Sequence, residues 1–192
     1  MADEVVEDFA PSNGRITGVL GLGICVAVVV LGMAEYDRGF PAAGVWAALF
    51  FAVLIWAAML RPRVRVTGSE LRLRNMLDTI TVPLAAIEQI MVRQVLSVRA
   101  GERRYVCPAV GKSWRQALKQ NRTRKPGADV PYPDLVEERL QRLAEDARTK
   151  EGITLMSDEQ LELAKGVRRE LAWPEIVLLG FTAVGFVVAL LA

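Results

Sequence analysis

Three stretches of this chain carry no charged side chain over a length that fits a lipid bilayer. Ile16 to Met33 is eighteen residues, Ala42 to Leu60 is nineteen and Ile176 to Ala192 is seventeen. A helix needs about 20 largely apolar residues, and no fewer than roughly 17, to cross the hydrocarbon core. The sequence therefore predicts three membrane-spanning helices, the first two forming a hairpin over 16–60 (16–33 and 42–60). Composition enters as a consequence: the chain is 52% hydrophobic yet 24% charged, so its two kinds of residue must be segregated. Residues 1–60 contain only Arg15 and Arg38 as basic side chains, whereas 61–174 contain twenty-two basic and fifteen acidic ones.

The leader MADEVVEDFAPSNGR carries Asp3, Glu4, Glu7 and Asp8 where a cleaved signal peptide has a basic region, so the first apolar run is expected to persist as an anchor. AEYDRGFP, between the first two runs, is long enough only for a turn. Arg61, Arg63 and Arg65 follow the second run, and Lys165, Arg168 and Arg169 precede the third. By the positive-inside rule, residues 61–174 then lie in the cytoplasm beneath a cell (inner or plasma) membrane. The acidic tail, 1–15, is cytoplasmic on the same reading, and Ala192 ends at the outer face. Small residues recur at four-residue spacing (Gly14 and Gly18, Gly23 and Ala27, Gly44 and Ala48, Ala48 and Ala52), which suits close helix packing. With no ionisable or amide group inside a run, the spans read as anchors and packing surfaces and not as a transport path.

Chemistry is excluded on several counts. The chain has no histidine, which removes His-dependent triads, imidazole bases and His-ligated metals. Cys25 and Cys107 lack paired spacing and read as small buried hydrophobes. No phosphate-binding loop, nucleophile elbow, zinc-protease or calcium-loop string occurs, and Gly18-Val-Leu-Gly21-Leu-Gly23 lies within an apolar span. Glu137-Glu138 and Glu145-Asp146 each have a basic neighbour within four positions, as solvated helix faces do. No enzymatic activity, cofactor or metal is expected.

From Arg63 the apolar residues alternate: Val64 and Val66, Leu71 and Leu73, Ile80 and Val82. That period of two predicts strands near 62–67, 70–75 and 78–83, with Ile90 to Val98 forming one longer strand or a pair and Arg103 to Cys107 running back. The resulting antiparallel meander, 61–110, needs a cover for its open face. Two helices within 132–174 supply it. One is expected to start with a capping box at Asp134 and Glu137, carry Leu135, Leu140, Leu143 and Ala147, and stop at Gly152. The other starts at Ser157 with Gln160 and carries Leu161, Ala164, Val167 and Leu171 up to Trp173-Pro174. The fold class is an α+β membrane protein: three transmembrane α-helices, the last within 175–192, and a small antiparallel β domain covered by helices.

VRVTGSELRLRNMLDTITVPLAAIEQI resembles the bacterial pleckstrin-homology-like (PH) domains that follow a membrane hairpin in actinobacterial membrane proteins. Their pattern of a "GLxVRN" strand, a "TxxVPWxxI" strand and a return ending in "GxxYxxP" corresponds to Glu70 to Asn75, Thr79 to Ile87 and Gly101 to Pro108. VPYPDLVEERLQRLAEDAR and RRELAWPEI match the usual tail, and Leu84 stands where that family often has Trp. The resemblance implies a PH-like fold and brings no catalytic motif.

Two groups of basic residues are candidates for contact with a lipid or partner. Arg63, Arg65, Arg72 and Arg74 alternate with apolar positions on two adjacent strands, which places them on the outer face of the sheet. There they serve either anionic headgroups or solvent and topology alone. Lys112, Arg115, Lys119, Arg122, Arg124 and Lys125 crowd a Pro/Gly-containing loop, 111–131, with Trp114 and Leu118. Lipid contact, a protein-docking surface, nucleic acid and an unpartnered loop are all open for it, nucleic acid being disfavoured because a single aromatic accompanies the cluster. The expected function is that of a non-enzymatic membrane scaffold or adaptor. The alternative is an accessory subunit of a larger membrane complex, such as a respiratory or export assembly. Partners are then membrane lipids, other membrane proteins or a second copy.

Overall fold

The computed structural model describes residues 5–11, 14–35, 37, 39–112 and 130–191. Along them run β1 (Val5–Phe9), α1 (Arg15–Ala34) and α2 (Ala42–Ile55), the last continued by a π-helical stretch (Trp56–Leu60). There follow β2 (Arg63–Thr67), β3 (Glu70–Arg74), β4 (Asp78–Pro83), a 3-10 turn (Leu84–Ala86), β5 (Gln89–Val92), β6 (Leu96–Ala100) and β7 (Arg103–Cys107). Helices α3 (Tyr132–Glu151) and α4 (Asp158–Ala164), strand β8 (Arg168–Leu171) and helix α5 (Trp173–Leu191) complete the chain. Two units result, one of β1 with Pro62–Glu170 and the other of Gly14–Arg61 with Leu171–Ala192.

The first unit is α+β. Its larger sheet has the order β1-β2-β3-β4-β8 and its smaller one β5-β6-β7, the consecutive strands of each pairing antiparallel. Alternation fixes which face is buried, since a one-residue slip would turn every side chain over. Val64, Val66, Leu71 and Leu73 point inward and are fully buried, and the smaller sheet adds Ile90, Val92, Leu96 and Val98. Gly68 (φ 56°) and Gly101 (φ 60°) make the tight turns after β2 and β6 in the left-handed region that favours glycine. The Ile90–Val98 stretch is a pair of strands broken at Arg93–Val95.

Helix α3 packs over the 3-10 turn and β5, burying Val136, Leu140 and Ala144. Burial of a leucine such as Leu140 contributes about 1.5–3 kcal/mol. The expected face was one position off at its start, because Leu135 is exposed and Val136 is inside. The expected capping box does not form. The helix begins three residues earlier, with Pro131 as its N-cap and Pro133 in its first turn, and both carboxylates are used elsewhere. Asp134 pairs with Lys112 at 2.7 Å, and Glu137 accepts the Val92 N–H at 2.9 Å. Gly152 ends the helix with φ 69°, as anticipated.

Two strands were not anticipated. β1 falls in the stretch read as an acidic tail, and pairs antiparallel with β2 through a bulge between Val5 and Glu7. Its acids take opposite sides: Asp8 meets Arg65 at 2.9 Å, Glu7 meets Arg139 of α3 at 2.8 Å, and Phe9 is buried. The second helix stops at Ala164 and does not reach Leu171. A turn at Lys165-Gly166 follows, and β8 then supplies a neighbour for β4 that would otherwise be a bare edge.

The second unit is helical. Arg15–Ala34, Ala42–Leu60 and Trp173–Leu191 are each long and apolar enough to cross a membrane. Within the unit α2 packs against both α1 and α5. Gly18 faces Met59 and Leu60, Gly32 faces Val45 and Phe40, and Gly185 faces the ring of Trp46 so closely that a Cβ there would collide with it. Gly23, by contrast, faces open space, so its spacing with Ala27 does not mark a contact in this unit. Trp46 also meets Phe181 edge-on at 5.7 Å between ring centres. Helix α5 starts earlier than the apolar run, and so includes Glu175. This carboxylate is buried and accepts from Arg61 Nε at 2.6 Å. The apolar runs themselves hold no ionisable group; the helices extend past them to take in Glu175 here and Arg15 at the start of α1.

Candidate functional site

The β2–β3 hairpin positions the strand arginines. Because β2 and β3 pair Val64 with Leu73 and Val66 with Leu71 on the inner face, the outer face pairs Arg63 with Arg74 and Arg65 with Arg72. Like charges directly opposite on a sheet are destabilising unless countered. Part of the answer is internal. Asp8 of β1 pairs with Arg65, Glu70 lies 3.8 Å from Arg72 and also receives Arg168 at 2.7 Å, and Asp78 accepts from Arg169 at 2.5 Å. Asp8 and Glu70 are thus interleaved with the arginines on the outer face, while Asp78 is buried at the start of β4 on the opposite parity. Arg74 is exposed; Arg63, Arg65 and Arg72 are half-buried. Where Glu7 meets Arg139, the carboxylate's hydrogen bonds raise the guanidinium's pKa further above its ordinary value.

The second basic group does not join the first. Lys112 is turned to α3, where Asp134 holds it with both side chains mostly buried, and its N–H donates to the Arg93 carbonyl at 2.6 Å. Arg115, Lys119, Arg122, Arg124 and Lys125, with Trp114 and Leu118, lie outside the described residues. Reading charges by position along a strand located Arg63, Arg65, Arg72 and Arg74. It missed Asp8 and Arg168, whose relevance depends on β1 and β8 entering the sheet, and Glu70, which sits on β3 itself beside Arg72.

Among the described residues no group of three or more Cys, Asp or Glu is arranged to hold a metal ion. A hollow of about 210 Å³ lies between α3 and β5, lined by Glu88, Gln141, Glu145 and Arg148 among others. It is smaller than the roughly 300–1,000 Å³ of a typical ligand pocket. Two of its polar side chains are bound to backbone: Gln141 Nε2 donates to the Ile90 carbonyl and Arg148 Nη1 to that of Ile87, at 3.2 and 2.6 Å.

Comparison with known proteins gave no matching family model, no matching curated protein and no matching solved structure.

Proposed function

We propose that this chain is a three-span cell-membrane protein whose PH-like domain works as a non-enzymatic scaffold or adaptor on the cytoplasmic side, with its basic sheet directed to anionic headgroups. The observation that carries this reading is the composite sheet. β1 precedes the first apolar helix, β2 follows the second, and the two strands are hydrogen-bonded neighbours. A chain that crosses a bilayer and returns can form such a sheet, whereas one that crosses once between β1 and β2 cannot. The basic flanks at Arg61, Arg63 and Arg65 then select the cytoplasmic side. The meander of β2 to β7 closed by α3 supports the PH-like reading, and the interleaved carboxylates support a surface tuned for moderate, reversible attraction.

Reporter fusions after Asp37 and after Gly127 test the topology. The expected result is an external signal at Asp37 and a cytoplasmic one at Gly127. Signals from the same side at both positions would refute the three-span arrangement.

A further inference from the structure

The two ends of the β domain differ, and the difference follows from strand order. At one end lie the β2–β3 turn with Gly68 and Ser69 and the β6–β7 turn with Gly101 and Glu102, both polar. At the other end lie Asn75–Leu77, between β3 and β4, and Arg93–Val95, between β5 and β6. These two turns are at the same end because Cys107, which pairs with Leu96 at the start of β6, directs its thiol at the carbonyls of Arg63 and Arg74. Each has an exposed aliphatic tip, Leu77 at 38% and Val95 at 37% exposure. Arginines accompany both tips, namely Arg74, its cross-strand neighbour Arg63, and the exposed Arg93.

All three chain connections to the apolar helices leave from this end, β1 finishing there with Phe9 opposite Val64. β2 starts there, with only Arg61 and Pro62 between Leu60 and Arg63. β8 finishes there: Gly166, just before it, lies in van der Waals reach of Pro83 at the far end of β4, while Arg169 reaches Asp78 at the near end. Leu171 is then two residues from Trp173. Three extended residue steps cover at most about 11 Å and two about 7 Å. Whatever angle the two units adopt, the roots of β2 and β8 stay within that reach of the apolar helices.

We infer that the Asn75–Leu77 and Arg93–Val95 turns form a bilayer-contacting edge, with Leu77 and Val95 entering the headgroup boundary and Arg63, Arg74 and Arg93 meeting anionic lipid. The inference rests on the three-span reading and deepens it. It narrows the lipid contact of the basic sheet to its Arg63–Arg74 end, with Arg65 and Arg72 further along the strands. Aliphatic tips beside cationic side chains are the combination that interfacial anchoring uses.

The test uses full-length protein in nanodiscs of phosphatidylcholine, with and without phosphatidylglycerol. Single cysteines replace Leu77, Val95, Ser69 or Glu102, each carrying a fluorophore, and lipids brominated near the headgroup act as quencher. Unsubstituted protein, whose Cys25 and Cys107 are buried, is the labelling blank. The expected result is quenching at 77 and 95 but not at 69 or 102, strongest with the anionic lipid. Arg63→Gln and Arg74→Gln should each lower the ratio of docked to undocked domain about fivefold, from the attraction of a juxtamembrane arginine to an acidic leaflet. Absence of quenching at 77 and 95, equal quenching at all four positions, or indifference to phosphatidylglycerol would overturn the inference. Correct fusion signals at Asp37 and Gly127 with no quenching would remove this contact while leaving the three-span reading in place.

Discussion

Gln160 shows how much one side chain can determine. It is fully buried, its Nε2 donates to the carbonyls of Ala85 and Ile87 at 3.0 and 3.2 Å, and its Oε1 accepts the Met156 N–H at 2.7 Å. Met156 has φ 61°, a left-handed conformation uncommon for a side-chain-bearing residue, so this amide holds a strained turn onto the 3-10 segment. Gln160→Leu should lower unfolding stability by about 2–4 kcal/mol, since each buried group left unpaired costs about 1–3 kcal/mol. Chemical denaturation followed by circular dichroism checks it, and a loss below the error of the fit would show that water replaces the amide. The Ser157 cap on Gln160 was legible, with Ser157 Oγ accepting the Gln160 N–H at 3.2 Å, but the burial was not, because glutamine is ordinarily a surface residue. Cys107 provides a pH handle. Burial chiefly, with Asp78 adding and an Ala109 hydrogen bond opposing, pushes its thiol up from 9.0 to about 11. The unfolded thiol ionises first as pH rises, so the stabilisation from keeping it neutral is full below about pH 9 and is lost as pH rises toward 11. Wild type should therefore lose stability over that window more steeply than Cys107→Ala, as read by denaturation midpoints at successive pH values.

At the scale of elements, the inner strands were readable and the edges were not. β2, β3 and β4 bury every second residue against a core, and that constraint is written as alternation. β1 and β8 are short and charged, and all of β8 is exposed. They are strands because β2 and β4 offer unpaired backbone and because Asp8, Glu7, Arg168 and Arg169 find opposite charges there. No local pattern encodes either condition. The same applies to the candidate site: alternation put the four arginines on the outer face, but Asp8, the partner of Arg65, comes from a strand that the pattern did not reveal. Between helices, the Arg61–Glu175 pair joins the end of the Ala42–Leu60 stretch to the first turn of α5. Its two side chains are nearly inaccessible, so removing one charge leaves the other buried without its counter-charge in this pair. Glu175→Gln is expected to cost about 3–5 kcal/mol of the helical unit's stability in mild detergent, and the double change Arg61→Met with Glu175→Leu to recover most of it. Unfolding by graded denaturing detergent measures both; equal losses in the single and double variants would mean the pair is not acting as a unit.

Over the whole molecule, uncharged length located the three apolar helices, each long and apolar enough to cross a membrane. The division of the remainder was less accessible, since β1 and β8 join one sheet from opposite ends of the chain. That long-range pairing also sets a schedule for biogenesis. Asp8 and Arg65 are 57 residues apart, and both helices of the hairpin lie between them. On the three-span reading, β1 is synthesised first yet gains its partner only after both helices have been inserted and β2 has left the ribosome. A chain in which only one of the two helices inserted would have a bilayer between the two strands, leaving the edge of β2 bare to aggregation and to quality-control proteases. On that reading the first strand made is a checkpoint for insertion: the domain is finished only in chains whose hairpin has gone in and come back.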